Sequence, residues 1–310
     1  MVNAVDANGC IVSTTVTVNE PTPLTHSVSS TNVLCFGDTT GTITITGSGG
    51  VGGYGYTISP AVGSQQTPGN FSGLSANTYT GVVTDNNGCM DTTAAIVITQ
   101  PTQMVFTSVT KQDVECYGAS TGSISVASNL GTGVHSYTLS PDPNSAGTLV
   151  GSPQTFGSIP AGVYTITAID GNGCTITTSV TIIENPEIIF SSITHVEPIC
   201  YGDENGSISF TATGGVNPFT YIFDVNGTPQ GPNTQTNYSN LGIGLYTIRA
   251  IDVLGCTKDT NYNLTGPDRI NFPQFDIIPT TCLDTDDGKL NVTAAGGRGS
   301  VYTYSLEPGF

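Results

Sequence analysis

Eight cysteines are the residues of this chain whose type and spacing point most clearly to chemistry. They fall in two sequence contexts that alternate, and each context returns after about 80 residues. The first context, C-F/Y-G-x-x-x-G or a close variant, holds Cys35, Cys116, Cys200 and Cys282. The second, D-x-x-G-C, holds Cys10, Cys89, Cys174 and Cys256. Such a pattern is typical of disulfides made in an oxidising compartment, so we expect an exported, extracellular protein.

The other reactive side chains do not form a catalytic pattern. His26, His135 and His195 lie in or beside segments that read as strands, where a packed or exposed histidine is the ordinary interpretation. The sequence has no G-x-S-x-G nucleophile motif, no glycine-rich phosphate loop and no cysteine and histidine spacing suited to zinc. We therefore expect no enzymatic activity and no catalytic residue.

Calcium is the cofactor that the acidic residues could hold, because carboxylates cluster after some of the first cysteines. The best candidates are Asp284, Asp286 and Asp287. The equivalent positions of another copy carry Ala119, Ser120 and Thr121 instead. A calcium site in every copy is therefore not expected, and the general expectation is that the protein has no cofactor.

Charge is sparse and one-sided. The chain has 23 acidic and 6 basic residues among 310, which gives a formal net charge of −17. Nucleic acid and anionic membrane surfaces would be repelled, so neither is an expected partner, and the chain has no apolar run long enough to insert into a membrane.

The segments around the cysteines must be short strands. Apolar residues alternate with polar ones after each first cysteine, as in TGTITITG, TGSISVAS, NGSISFTA and DGKLNVTA, and period-two alternation predicts a half-buried strand. An aromatic strand, a short edge segment and a strand that ends in D-x-x-G-C follow, and the chain then returns as a hairpin. Tyr79, Tyr164 and Tyr246 occupy equivalent places before the alternating residues of that later strand and are expected to be either core-packing or tyrosine-corner residues.

About seven short strands in each period predict an all-β protein, a tandem array of immunoglobulin-like (PKD-like) antiparallel β-sandwich modules of about 80 residues. Linkers that contain proline mark the expected boundaries. The expected parts are the end of a preceding module at 1–20, complete modules at 21–100, 101–185 and 186–266, and the start of a following module at 267–310. Because the chain opens within a module, a targeting signal is expected to lie outside it.

Taken together, the cysteine contexts, a Gly-Gly turn before an aromatic strand, an L-x-x-x-x-Y step and an E/Q-P linker resemble the SprB-type repeats of Bacteroidota cell-surface proteins. The similarity covers essentially the whole chain. It departs from the pattern where the second complete copy has Asn-Leu-Gly for the Gly-Gly turn and where the last copy reads C-L-D.

The resemblance implies a very large surface protein, exported by type IX secretion, that acts as an adhesin in gliding motility. Its implied partners are neighbouring modules of the same chain and the secretion and gliding machinery. No catalytic residues carry across, and function is inherited by analogy alone. The structural positions that do carry across are the cysteines, the Asp of D-x-x-G-C and four glycines, Gly41, Gly122, Gly206 and Gly288.

We expect the chain to be a structural stalk or spacer of such an adhesin. One alternative is an array of carbohydrate- or protein-binding modules that contacts an external surface or glycan, and another is a set of accessory domains of a modular exported hydrolase. The segments between the aromatic strand and the edge strand vary most and carry almost no aromatic residues, which favours the spacer.

Three disulfide arrangements fit the spacing. An immunoglobulin-like sandwich would put the two cysteines of one module at opposite ends, about 30 Å apart, whereas a disulfide needs Cα atoms within about 7 Å. This favours the inter-module staples Cys35–Cys174 and Cys116–Cys256, with Cys10, Cys89, Cys200 and Cys282 pairing outside the chain. Two arrangements remain open, namely intra-module bonds (Cys35–Cys89, Cys116–Cys174, Cys200–Cys256) and cross-linker bonds (Cys89–Cys116, Cys174–Cys200).

Overall fold

A computed structural model describes residues 1–225 and 227–307 of the chain. All regular structure in these residues is β-strand, which confirms the predicted all-β class, and the paired strands run antiparallel. Neither range contains a helix that could cross a membrane. Residues 21–100, 101–185 and 186–266 are called the first, second and third repeats below, and residues 267–310 the fourth.

The chain divides into two compact units, and each takes part of the second repeat. The first unit comprises residues 1–110, 124–156 and 164–180, and the second comprises 111–123, 157–163 and the described part of 181–310.

The first repeat has eight strands in two sheets. They are β3 (Thr25–Thr31), β4 (Gly41–Ser48), β5 (Gly55–Ser59), β6 (Ser64–Thr67), β7 (Asn70–Leu74), β8 (Asn77–Thr84), β9 (Met90–Thr92) and β10 (Ile96–Ile98). One sheet has the order β3-β4-β7-β6, and in the other β8 pairs with β5, β9 and β10. A hairpin of β1 (Val2–Val5) and β2 (Ile11–Thr14) precedes the repeat.

The second repeat has seven strands. They are β11 (Val105–Gln112), β12 (Gly122–Asn129), β13 (Ser136–Ser140), β14 (Leu149–Val150), β15 (Gln154–Ile159), β16 (Gly162–Ile169) and β17 (Thr175–Ile182). Their pairing orders are β11-β12-β15 and β14-β13-β16-β17.

The third repeat has the same strand order as the second. Its strands are β18 (Ile189–Val196), β19 (Gly206–Thr213), β20 (Thr220–Val225), β21 (Thr228–Asn233), β22 (Asn237–Leu241), β23 (Gly244–Ile251) and β24 (Thr257–Leu264). They form the sheets β18-β19-β22 and β21-β20-β23-β24. In the fourth repeat, β25 (Asp268–Ile278) pairs with β26 (Lys289–Gly297).

These orders are those of an immunoglobulin-like sandwich, with strands A, B and E in one sheet and C, F and G in the other. The short fourth strand differs between repeats. In the first repeat β6 pairs with β7 and joins the A-B-E sheet, whereas β14 and β21 pair with the C strand and join the other sheet. The segment around this strand is also the part of the sequence that varies most between repeats.

The alternation that predicts the strands also fills the cores. In β4, Ile43 and Ile45 are buried while the neighbouring Thr42 and Thr44 are partly exposed. The third repeat has an aromatic core, in which the ring of Phe223 stacks on Tyr238 with centroids 3.9 Å apart. Tyr246 lies behind them with its ring centroid 5.5 Å from that of Phe223. Burial of rings and aliphatic side chains is the main stabilising term in such small sandwiches.

Tyr79 and Tyr246 close tyrosine corners. The buried Tyr79 donates its hydroxyl to the Ser75 carbonyl at 3.1 Å, and Tyr246 donates to the Gly242 carbonyl at 2.8 Å. Each bond ties the start of strand F to the backbone four residues earlier. Burial also raises the pKa of Tyr246 above its ordinary value.

The Asn-Leu-Gly departure of the second repeat is accommodated by His135. Leu130 takes the left-handed conformation, with φ 64°, where the first repeat has Gly49. Nε2 of the buried His135 lies 2.8 Å from the Leu130 carbonyl, as the Tyr54 hydroxyl lies 2.6 Å from that of Gly49. His135 therefore holds a strained turn, because a bulky residue is unfavourable in this conformation.

The glycine that ends the first cysteine motif is required by space. A Cβ on Gly206 would lie 2.8 Å from the Leu241 carbonyl oxygen and 2.7 Å from Cδ2 of Leu264. Gly41 meets the same kind of obstruction from the Leu74 carbonyl oxygen at 2.8 Å. Strands B and E thus approach too closely at this point for any other residue.

We predict that Gly206→Ala lowers the free energy of unfolding by about 1–3 kcal/mol, because the added methyl overpacks the third repeat. Urea unfolding followed by circular dichroism measures the loss. Gly157→Ala is the matched control, since Gly157 also lies in a strand and a Cβ there would meet nothing within 4 Å. Equal stability of the two variants would contradict the close approach of strands B and E.

Candidate functional site: disulfide bridges between successive repeats

The second cysteine of each repeat is positioned by the aspartate four residues before it. In the third repeat, Oδ1 of Asp252 accepts the backbone N–H groups of Leu254 and Cys256, both at 2.9 Å. The Asp252 N–H in turn donates to the Cys256 carbonyl, and Gly255 takes φ 84° to close the turn. Asp and Gly are therefore both required for a turn of this shape. The same hydrogen bonds recur at Asp6, Asp85 and Asp170.

In the three complete repeats the other carboxylate oxygen reaches the turn between strands B and C. Oδ2 accepts an N–H from Val51 at 2.9 Å, from Thr132 at 2.9 Å and from Val216 at 3.0 Å. The three aspartates, Asp85, Asp170 and Asp252, are each 5% exposed. One buried carboxylate thus fixes the cysteine turn against the body of its own repeat.

The first cysteine of each repeat begins a tight turn. The Asp38 N–H donates to the Cys35 carbonyl at 3.2 Å, and Gly37 has φ 82°, which explains the glycine two residues after the cysteine. In the fourth repeat Asp284 occupies that position with φ 65°, a conformation that Asp tolerates better than most residues. The C-L-D departure therefore keeps the turn.

A polar residue before the motif's last glycine closes the same loop. Thr40 accepts the Leu34 N–H at 2.8 Å, and Asn205 accepts the Ile199 N–H at 3.0 Å. Asp287 fills this position in the fourth repeat and accepts the Thr281 N–H at 3.0 Å. The Thr281 hydroxyl, that backbone bond and the Thr285 hydroxyl lower the pKa of Asp287 to about 2. Its carboxylate is thus engaged within its own turn.

A linker residue upstream of the proline contacts the first cysteine turn: Gln100 directly precedes Pro101, and Glu184 lies two residues before Pro186. Oε1 of Gln100 accepts the Gly37 N–H at 2.8 Å, and Oε2 of Glu184 accepts the Gly118 N–H at 2.6 Å. The sequence analysis treated the E/Q-P pair as a boundary marker and missed this contact. The recurrence of Glu or Gln at the position was the signal that could have revealed it.

In the first unit, a disulfide joins the first cysteine of the first repeat to the second cysteine of the second repeat. Cys35 and Cys174 have an S–S distance of 2.03 Å and a Cα–Cα distance of 5.6 Å across 139 residues of sequence. Beside the bridge, Asn172 Nδ2 donates to the Leu34 carbonyl at 3.0 Å. The bond therefore links consecutive repeats, in the manner of an inter-module staple.

The second unit contains the same connection one repeat later. Cys116 and Cys256 have an S–S distance of 2.05 Å and a Cα–Cα distance of 5.5 Å across 140 residues. Cys256 is only 8% exposed and belongs to the core of the third repeat, against which Cys116 also packs. This bridge is thus partly shielded from solvent.

Four cysteines carry exposed free thiols, namely Cys10, Cys89, Cys200 and Cys282. They are the first cysteines of the third and fourth repeats and the second cysteines of the first repeat and of the hairpin before it. The intra-module pairs and the cross-linker pairs are not formed in this structure.

Two of the histidines contact other side chains. His26 Nδ1 is 2.7 Å from Asp91 Oδ2, and His195 contacts the Tyr262 hydroxyl. Across residues 1–225 and 227–307, no group of three or more His, Cys, Asp or Glu side chains is arranged to hold a metal ion, and this includes the Asp284, Asp286 and Asp287 candidates.

We predict that Asp252→Ala lowers the free energy of unfolding by about 3 kcal/mol or more, because three backbone N–H groups lose a charged acceptor. It should also leave free thiol at Cys116 and Cys256, since the turn that presents Cys256 is lost. Urea unfolding and thiol titration measure the two effects. The matched control is Asp6→Ala, at an exposed copy of the same motif that lacks the third hydrogen bond. A full complement of disulfide in the Asp252 variant would contradict the positioning role.

Acid should weaken the first repeat through Asp85. Its pKa lies below the ordinary value of 3.8, chiefly because the Val51 N–H donates to the carboxylate. A lowered folded pKa means that the ionised group contributes stability above the ordinary value, and that this contribution is lost as pH falls through the folded pKa. We expect the urea midpoint to fall less between pH 5 and pH 3, an interval of about two units around the Asp range, in Asp85→Asn than in the parent chain. Parallel pH curves would contradict this assignment.

Comparison with known protein families gives one match. The SprB repeat profile matches residues 27–63, 108–144, 192–224 and 275–309. No curated protein matches the sequence.

Solved structures similar to the chain include several multi-domain extracellular segments. Sidekick-1 immunoglobulin domains 1–5 align over 85% of this chain and 65% of that one, with 11% identity and a TM-score of 0.30. Extracellular domains 3–5 of Drosophila OTK align over 65% and 75%, with 16% identity and a TM-score of 0.25. The eight N-terminal domains of DSCAM align over 95% and 54%, with 10% identity and a TM-score of 0.31. The chain thus spans about two thirds of the Sidekick-1 structure and about half of the DSCAM structure.

The four matched segments each begin in strand A and include the first cysteine motif and strand B of one repeat. They hold the first cysteine motif, which is one of the features on which the sequence resemblance rests. Four segments of the chain match the SprB repeat family, which agrees with the resemblance of the sequence to SprB-type repeats.

Proposed function

We propose that this chain is a structural spacer segment of a large extracellular adhesin, of the type that serves gliding motility. It carries no catalytic site of its own. Its partners are the neighbouring repeats of the same chain, and the ligand of the adhesin is contacted elsewhere.

The observation that carries the proposal is the covalent bond between successive repeats. Both Cys35–Cys174 and Cys116–Cys256 join one repeat to the next, and neither closes a loop within a repeat. A binding module needs a stable body but has no need to be fastened to its neighbour. Bonds between neighbours are useful where the connection itself must persist under load.

The surface supports the same role. Of the three most variable strands, β6 (Ser64–Thr67) and β21 (Thr228–Asn233) are almost entirely exposed and consist of small, polar or proline residues. The third, β14, is the aliphatic pair Leu149–Val150, and none of the three carries an aromatic residue or an arginine. Binding surfaces are enriched in aromatic residues and arginine. The net charge of −17 also discourages association between neighbouring chains.

Export follows from the same chemistry. Disulfides persist outside the cytosol, where thiols are not kept reduced, so the bridges favour an extracellular location. We propose type IX secretion as the route and the cell surface as the destination, both by analogy with the family.

Binding assays and surface labelling test the proposal. The oxidised chain should show no saturable binding tighter than about 1 µM to a glycan array or to coated surfaces, with a lectin as positive control. An antibody against the chain should label intact cells that produce it. Saturable sub-micromolar binding would instead identify an array of binding modules, and labelling only after permeabilisation would contradict the extracellular location.

A further inference from the structure

The two disulfides interlace along the chain. The four cysteines occur in the order Cys35, Cys116, Cys174 and Cys256, and the bonds join the first to the third and the second to the fourth. Each bond therefore has one of its two cysteines inside the loop that the other bond closes. This connectivity differs from a series of separate loops, and it changes what happens when the chain is pulled.

We propose that the interlaced bridges act as a redundant limit on extension, in which either bridge alone keeps most of the unfolded length out of the load path. The quantity that the bridges limit is the greatest distance between Cys35 and Cys256 once every repeat between them has unfolded. This distance is set by chain connectivity and is independent of the proposed function.

Without bridges, roughly 220 residues separate Cys35 from Cys256, which corresponds to about 770 Å when fully extended. With both bridges, the shortest covalent route crosses from Cys35 to Cys174, follows the chain backwards to Cys116 and crosses to Cys256. That route contains about 60 residues and extends to about 200 Å. The other two segments, from Cys35 to Cys116 and from Cys174 to Cys256, are longer than this route and therefore carry no load.

Breaking one bridge changes this limit little. If Cys35–Cys174 breaks, the load follows the chain from Cys35 to Cys116 and crosses there, a route of about 80 residues. If Cys116–Cys256 breaks, the load crosses at Cys174 and follows about 80 residues to Cys256. Either loss adds only about 20 residues, whereas loss of the second bridge adds about 140 more.

The effects of breaking the two bridges on the maximum extension are therefore strongly non-additive. Bonds within repeats would behave differently, because each would hide its own loop of about 55 residues and each loss would release that length independently. The first break of an interlaced pair increases the maximum extension only slightly, whereas the second break increases it greatly.

Force-clamp spectroscopy on the full chain tests the proposal. The exposed thiols of Cys10, Cys89, Cys200 and Cys282 are first capped with N-ethylmaleimide, and the chain is then held by its ends until all repeats have unfolded. Addition of dithiothreitol cleaves the loaded disulfides by thiolate attack, which leaves two cysteine thiols and oxidised reagent for each bond. Two steps are expected, the first of about 70–80 Å and the second of about 490 Å, always in that order.

Paired substitutions provide the control. Both C35S/C174S and C116S/C256S should lack the short step and show the single long one, and a chain with all four substitutions should show none. Because the steps are read after complete unfolding, a variant that is less stable still reports its bridge. Steps of equal length, a long step before the short one, or three steps of about 190 Å would overturn the proposal.

Discussion

The arrangement of this chain depends on one buried carboxylate in each of the first three repeats. The aspartate of D-x-x-G-C receives two N–H groups from the turn that carries the second cysteine and a third from the turn between strands B and C. A charged acceptor in this position is stabilised only if its hydrogen bonds are complete, so the cysteine turn has one favoured geometry. That geometry presents the thiol to the preceding repeat.

Most of the fold could be predicted from the sequence because it is encoded locally. The alternation around Ile43 and Ile45 reports which side of strand B is buried, and this is repeated in every copy. The sheet to which the short fourth strand belongs could not be predicted. Strands β6, β14 and β21 are short and mostly exposed, so their pairing depends on the neighbouring edge and not on a hydrophobic pattern.

The candidate site was only partly visible in the sequence. Fixed spacing restricts the cysteines to a few arrangements, but the choice depends on which ends of two repeats meet, and that is a long-range property. The contacts of Gln100 and Glu184 with the Gly37 and Gly118 N–H groups were missed because they join residues more than 60 positions apart. The role of His135 was hidden as well, because it compensates for Leu130 through the carbonyl of that residue and only in the second repeat.

The offset of the bridges by one repeat has a consequence for how such a gene can grow or shrink. Removing any whole repeat deletes one cysteine of each context, and the cysteines on either side can then pair with one another. Duplicating a repeat inserts one of each and preserves the same rule. An insertion or deletion that contains only one of the two cysteines leaves a thiol without a counterpart. The bonding pattern is therefore preserved when whole repeats are gained or lost, but not when such a part of a repeat is.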